Sequence, residues 1–133
     1  MNECELFELA KAARKASYSP YSGYKVGAAL LCRDGRVFTG CNIESASYGA
    51  TNCAERTAFF KAVSEGAREF TAIAIAGGKG DEADELCTPC GICRQVMTEF
   101  CDGNLRIICG TQPQHWFTLT ELFPMSFSPR NLQ

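Results

Sequence analysis

Apolar and polar side chains recur with helical spacing near the start of the chain. Apolar residues share one face and good helix formers lie between them, which predicts an amphipathic helix over residues 3–17. That apolar face consists of Leu6, Leu9, Ala10, Ala13 and Ala16. A turn is predicted over Ser19–Gly23, because this stretch contains both proline and glycine.

Short apolar runs later in the chain predict strands. Residues 26–32 and 37–43 read as strands, and Asp34-Gly35 between them is typical of a hairpin turn. Residues 118–123 fit either a strand or a short helix. The remaining predicted elements are helices over 54–65 and 90–100, the second with Thr88 as N-cap and Pro89 as first residue, and strands over 70–76 and 105–109.

The order of these elements predicts the fold class. A helix, a hairpin and then alternating helices and strands favour a strand–helix–strand crossover, whose two strands are parallel neighbours in one sheet. The hairpin adds antiparallel strands to the same sheet. We therefore expect an α/β fold, a three-layer α/β/α sandwich with a mixed β-sheet, and residues 1–133 are few enough to form a single domain.

Composition and charge exclude several classes of partner. The chain has 13 basic and 15 acidic residues, a net charge of −2, and so lacks the basic excess of a nucleic-acid-binding surface. No apolar run approaches the roughly 20 residues of a membrane span. The acidic start does not resemble a signal peptide. With nine cysteines, an odd number, in spacings that favour metal over disulfides, we expect a reduced, cytoplasmic protein without membrane or nucleic-acid partners.

The spacing of three cysteines and one glutamate predicts a catalytic zinc site. Cys53-Ala54-Glu55 is followed by Pro89-Cys90-Gly91-Ile92-Cys93. Thiolates suit zinc, and three protein ligands leave a fourth position open for a reactive water. Glu55 is not needed as a ligand and can move protons. The layout is that of the H/C-x-E…P-C-x-x-C pattern of zinc nucleobase and nucleoside deaminases.

Cys87 leaves two alternatives open. Cys87, Cys90 and Cys93 form a C-x2-C-x2-C run, so a closed site with four sulfurs would be structural and would suit an interaction module without catalysis. An iron–sulfur motif would need a further Cys-Pro that is absent. Pro89 favours Cys90 and Cys93 as the ligand pair, because it lies at the predicted helix start.

Two arginines and the single histidine are further candidates for roles near the metal motif. Three thiolates and Zn²⁺ carry a charge of −1, so a nearby cation is expected, and Arg56 is placed to donate a hydrogen bond to a ligand sulfur. Arg94 is a weaker candidate for the same role. His115 lies far from the motif in the chain, so a surface or packing role is expected.

With these residues in view, the chain resembles the small homo-oligomeric cytidine deaminases along nearly its whole length. The resemblance rests on Tyr21–Ala29, Gly40-Cys41-Asn42-Ile43-Glu44, Asn52–Ala58, Pro89–Gln95 and Glu121–Pro124. The zinc motif indicates only the superfamily, whereas Asn42-x-Glu44 makes the match specific.

The resemblance implies roles for further residues. Asn42 and Glu44 would hold the ribose hydroxyls, although from the residues alone they equally suggest a capped turn. Tyr24 would pack near the pyrimidine. Phe127 would reach a neighbouring subunit's site, and Tyr48 would either shape the pocket or pack. The resemblance also implies a homotetramer with one zinc per subunit and active sites completed across subunits.

The resulting hypothesis is hydrolytic deamination of cytidine and deoxycytidine in pyrimidine salvage. A zinc-activated water would attack C4, Glu55 would carry protons to N3 and to the departing amine, and the Ala54 N–H would polarise the pyrimidine carbonyl. A different nucleoside substrate, such as blasticidin, is an alternative that Asn42-Ile43-Glu44 disfavours. A nucleic-acid editor is disfavoured by the acidic balance.

Overall fold

The structure, a computed structural model, describes residues 1–110 and 115–133. Its helices are α1 (Glu3–Ala13), α2 (Ala54–Ser64), α3 (Gly91–Phe100) and α4 (Leu119–Leu122). Its strands are β1 (Lys25–Cys32), β2 (Val37–Cys41), β3 (Phe70–Gly78), β4 (Arg106–Ile108) and β5 (Trp116–Thr118). Short 3₁₀ turns cover Arg14–Ala16, Tyr48–Ala50 and Pro129–Leu132.

The described strands form one mixed sheet in the order β2-β1-β3-β4-β5. Strand β1 is antiparallel to both β2 and β3, and β4 is antiparallel to β5. Strands β3 and β4 are parallel because helix α3 connects them as a crossover. The predicted mixed sheet is confirmed.

Alternate residues of the central strands enter two separate cores. In β1, Ala28 and Leu30 belong to one buried cluster and Ala29 to the other, as the two-residue period of a strand requires. The first cluster includes Phe59 of α2 and Met97 of α3. The second is covered by α1 through Leu6, Phe7 and Ala10. Helices therefore lie on both faces, and the three-layer prediction is confirmed.

Several element boundaries differ from the predictions: strand ends shift by one or two residues, as in β2, which ends at Cys41 and not at residue 43, and three larger differences involve helices. Helix α1 ends at Ala13, and a 3₁₀ turn replaces its expected last residues. The N-cap of α3 is Cys90 and not Thr88, because Cys90 has extended backbone angles and its Sγ accepts the Cys93 N–H. Residues 118–123 are not one element: β5 ends at Thr118, which caps α4 through a capping box with Glu121.

No helix in residues 1–110 and 115–133 is long and apolar enough to cross a membrane.

Candidate metal centre and active site

The first turn of α2 lies unusually close to strand β2. A Cβ at Gly40 would fall 2.7 Å from the Ala54 carbonyl oxygen and 2.6 Å from the Ala58 nitrogen, so a residue with a side chain would push the helix away. Thr57 Oγ1 also donates to the Cys41 carbonyl oxygen at 3.0 Å. A glycine inside a predicted strand often marks a place where another segment of backbone comes close. Gly40 is therefore the residue whose position in the sequence could have indicated this contact between β2 and α2.

Three sulfurs converge where α2 and α3 begin. Cys53 is the N-cap of α2, Cys90 is the N-cap of α3, and Cys93 lies in the first turn of α3. Their Sγ atoms all lie within 4.8 Å of one another, and those of Cys53 and Cys90 are 3.5 Å apart. Sulfurs around a tetrahedral zinc with bonds of about 2.3 Å would be about 3.8 Å apart. The three thiols therefore fit one zinc ion.

Electrostatics favours the thiolate form of Cys53, whereas the hydrogen bond to Cys53 and burial raise the pKa of Cys93. A hydrogen bond from the Cys93 thiol and the neighbouring Arg56 guanidinium lower the pKa of Cys53 to about 5, against the opposing effect of burial. The N-termini of both helices also favour negative charge. A soft, anionic donor set of this kind suits zinc.

Arg56 supplies a positive charge beside the sulfurs. Its Nη2 donates to Cys53 Sγ at 3.3 Å. Its Nε is buried and, among the described residues, has no hydrogen-bond partner. Three thiolates and Zn²⁺ carry −1, which one guanidinium neutralises. Arg56 therefore contacts the sulfur of Cys53, as the sequence predicts for one sulfur of the metal motif.

Glu55 is enclosed in the protein directly beside the sulfur cluster. Only 4% of the residue is exposed, and its carboxyl lies next to the Cys93 thiol. Burial, followed by the negative charge of Cys53, raises the pKa of Glu55 to about 7. A carboxyl with that pKa can both accept and release a proton near neutral pH.

Cys87 does not join the sulfur cluster. The group of metal-binding side chains found in the described residues contains Cys53, Cys90 and Cys93 without Cys87. Burial, together with the negative charge of Glu55, raises the pKa of Cys87 to about 12, so it stays a neutral thiol. The geometry therefore favours an open three-sulfur site over a closed four-sulfur one.

Asn42 and Glu44 follow β2 in the chain, and their side chains hold the turn that precedes β1. Asn42 Nδ2 donates to the Tyr24 carbonyl oxygen at 2.8 Å. Glu44 Oε1 accepts the backbone N–H groups of Tyr21 at 2.9 Å and Ser22 at 3.1 Å. The Ser22 hydroxyl is the largest cause of a lowered pKa for Glu44. Both side chains thus stabilise turns here, and their predicted ribose contacts remain predictions.

Ala54 directly follows Cys53, whereas Tyr24 lies just before β1 and Phe127 lies on the C-terminal tail. Ala54 is buried in the first core cluster, and the half-buried Tyr24 packs against the same cluster. As the first residue of α2, Ala54 has an N–H without an intrahelical partner. The Phe127 residue is 57% exposed, and its carbonyl accepts the Gln95 amide at 2.8 Å.

Arg94 binds backbone carbonyl oxygens, and His115 lies at the surface. Arg94 Nε donates to the Pro89 carbonyl oxygen at 2.7 Å, and another of its nitrogens donates to the Leu122 carbonyl oxygen. Arg94 thus braces the start of α3 against α4. His115 is exposed.

Arg14 has a role that sequence reasoning missed. It is 5% exposed, and its guanidinium donates to the carbonyl oxygens of Lys25 at 3.0 Å, Gly78 at 2.9 Å and Gly80 at 2.8 Å. It thereby ties the start of β1 to the loop that follows β3. No local pattern signals this, since the bonded carbonyls come from distant parts of the chain.

Comparison with known proteins gives consistent matches. Residues 1–110 match the family described as "Cytidine and deoxycytidylate deaminase zinc-binding region". A protein named cytidine deaminase from Sporosarcina psychrophila is 45% identical over 96% of this chain and 93% of its own length. One from Halalkalibacterium halodurans is 45% identical over 99% and 98%. A crystal structure of cytidine deaminase from Burkholderia pseudomallei has a TM-score of 0.86 and 46% identity, covering 96% of this chain and all of that one. These matches and the cluster of three thiols establish that the chain belongs to the cytidine and deoxycytidylate deaminase family.

Proposed function

We propose that this protein deaminates cytidine and deoxycytidine hydrolytically, giving uridine or deoxyuridine and ammonia. The observation that carries the proposal is the buried Glu55 carboxyl beside three sulfurs that can hold one zinc ion. The names of the 45% identical relatives support the choice of substrate.

Cys53, Cys90 and Cys93 would hold the metal, one ion per subunit. A bound zinc supplies a water that is acidic enough to act as a nucleophile near neutral pH. Arg56 keeps the Cys53 sulfur oriented and balances the negative charge of the three thiolates.

Glu55 would carry the protons of the reaction. It accepts one from the attacking water and delivers it to ring N3; it then takes the remaining proton from the new hydroxyl on C4 and passes it to the amine, which leaves as ammonia while the C4 carbonyl forms. The Ala54 N–H at the start of α2, which has no partner within the helix, would donate to the pyrimidine carbonyl. One water is consumed and one ammonia is released, so the atoms balance.

Asn42, Glu44 and Tyr24 would bind the nucleoside. The Asn42 Nδ2 that donates to Tyr24 carries a second hydrogen, and the Glu44 carboxylate has further acceptor positions, so both can reach a ribose hydroxyl while keeping their turns. The Tyr24 ring would pack against the base.

The domain organisation, the oligomeric state and the cellular location of the protein are proposals as well. We infer one catalytic domain over residues 1–133 that assembles as a homotetramer, with Phe127 completing a neighbour's site. Exposed aromatic residues support this, since Tyr48 is 77% and Phe127 57% exposed. All nine cysteines lie in the described residues and are free thiols, which suits the cytoplasm and a role in pyrimidine salvage.

An ultraviolet assay of the zinc-loaded protein tests the function. The absorption band of cytidine or of deoxycytidine should disappear. One ammonia should be released for each nucleoside that is converted. Free cytosine should react much more slowly, because it cannot use the ribose contacts of Asn42 and Glu44. Absence of turnover with both nucleosides would contradict the proposal.

Cys87→Ser separates the open catalytic site from a structural zinc module. We expect this variant to bind one zinc with unchanged affinity in a chelator competition, because the Cys87 sulfur lies outside the cluster. A large loss of zinc would show that Cys87 is a fourth ligand and would favour an interaction module.

A further inference from the structure

Ser17 makes a direct side-chain contact with Asn42. Its hydroxyl donates to Asn42 Oδ1 at 2.5 Å, and the Val26 N–H donates to the same oxygen at 2.9 Å. Asn42 Nδ2 in turn donates to the Tyr24 carbonyl oxygen at 2.8 Å. The two backbone groups, one a donor and one an acceptor, fix which end of the amide is the oxygen, so Oδ1 is the end that faces Ser17.

These contacts leave the Asn42 side chain with one group to offer. An amide oxygen accepts two hydrogen bonds and an amide nitrogen donates two. Ser17 and Val26 fill both acceptor positions of Oδ1. Among the described residues, only the second hydrogen of Nδ2 lacks a partner in this side chain. The Asn42 side chain can therefore present a donor to a ligand but no acceptor.

Backbone pairing connects this contact to the sulfur cluster. The residue after Ser17 donates its N–H to the Asn42 carbonyl oxygen at 3.1 Å. The next residue along, Ile43, exchanges two hydrogen bonds of 2.9 Å with Asn52, which directly precedes Cys53. The segment that carries Asn42 is therefore paired with the segment that carries the first predicted zinc ligand.

Glu44 provides an acceptor on the same side of this segment. Asn42 and Glu44 flank Ile43, which lies in a β-bridge, and side chains two apart on extended backbone point the same way. The Glu44 carboxylate accepts the Ser22 hydroxyl and two backbone N–H groups, and an ionised carboxylate can only accept. A hydroxyl is a ligand group that can accept from Asn42 and donate to Glu44 at once.

We propose that Ser17 is a positioning residue that keeps Asn42 a pure donor, aimed at a hydroxyl of the nucleoside sugar. This inference rests on the proposed function. Without the Ser17 hydroxyl, Oδ1 has a vacant acceptor position, and only the two backbone contacts hold the amide. A donor that is oriented before binding loses less conformational freedom when the substrate arrives, so the sugar contact should weaken when Ser17 is altered.

Steady-state kinetics with two nucleosides test this role. Ser17→Ala should lower kcat/KM for cytidine about three- to tenfold, the range expected for one lost hydrogen bond. With 2′,3′-dideoxycytidine, followed at a higher enzyme concentration, kcat/KM should stay within about twofold, because this analogue lacks the hydroxyls that Asn42 would bind. Ser17→Thr should restore the value for cytidine, since threonine keeps a hydroxyl.

A double variant and a matched control complete the test. Ser17→Ala/Asn42→Ala should be no worse with cytidine than Asn42→Ala alone, because Ser17 acts through Asn42. Ser64→Ala is the control, since the Ser64 hydroxyl is exposed and donates to the Lys61 carbonyl oxygen at 2.8 Å near the end of α2. It should leave kcat/KM unchanged for both nucleosides.

Three results would contradict the positioning role of Ser17. The kcat/KM of Ser17→Ala for cytidine could equal that of the unaltered protein, or it could fall by the same factor for both nucleosides, as a general loosening of the fold would produce. The double variant could also multiply the two single effects. Failure of the unaltered protein to turn over cytidine would instead overturn the proposed function, so the two failures can be told apart.

Discussion

Glu55→Gln is expected to lose nearly all turnover while the protein stays folded and keeps its zinc. Gln preserves the size and polarity of the buried side chain but cannot accept and return a proton. General acid–base catalysis of this kind contributes about a hundred- to ten-thousandfold, so kcat should fall by that factor. Single-wavelength kinetics with cytidine measure the loss, and metal analysis measures the zinc.

Glu65→Gln is the control for this substitution. Glu65 is the exposed C-cap residue of the same helix, at the end opposite the sulfurs, so the same chemical change there should leave kcat unaltered. If Glu55→Gln retained near-normal turnover with cytidine, Glu55 would not be the proton carrier. Thermal unfolding of both variants would show whether either change disturbs the fold.

Cys90→Ser should abolish activity by a different route, through loss of the metal. Serine is a good N-cap, so it can replace the cap that Cys90 Sγ provides to the Cys93 N–H of α3. It lacks the thiolate that zinc prefers. We expect zinc affinity to fall at least about tenfold, with turnover falling in proportion to bound metal.

Competition with a chelator and metal analysis measure that loss. Cys4→Ser is the control, because Cys4 is an exposed thiol in the first turn of α1 and lies outside the sulfur cluster. Addition of a chelator to the unaltered protein should lower its melting temperature, since a metal that binds only the folded state stabilises it. Full zinc occupancy in Cys90→Ser would show that Cys90 is not a ligand.

The chemistry of the site could be predicted from the sequence because its parts are local. Cys53 and Glu55 are two residues apart, and Cys90 and Cys93 are three apart at a helix start, so each pair shares one end of one helix. The resemblance to a known family added Asn42 and Glu44. The hydrophobic pattern predicted the three layers, since side chains with strand and helix periods must face a core.

Other local features were predicted less well. The start of α3 was expected at Pro89, whereas Cys90 caps the helix with its own sulfur. The same atom thus satisfies a backbone N–H and belongs to the sulfur cluster. Sequence preferences for N-caps rank serine, threonine and asparagine first, so a cysteine in this position could not be anticipated from propensity.

The sequence by itself determined the fold class and supplied the proposed metal ligands and proton carrier, because these follow from residue chemistry and short-range periodicity. Only the tertiary structure decided that the first turns of α2 and α3 meet, that Ser17 binds Asn42, and that Arg14 binds the loop after β3. Each of these contacts joins residues far apart in the chain. Their formation depends on how strands β1, β2 and β3 pair and on how closely helices approach the sheet, which no short stretch of sequence encodes.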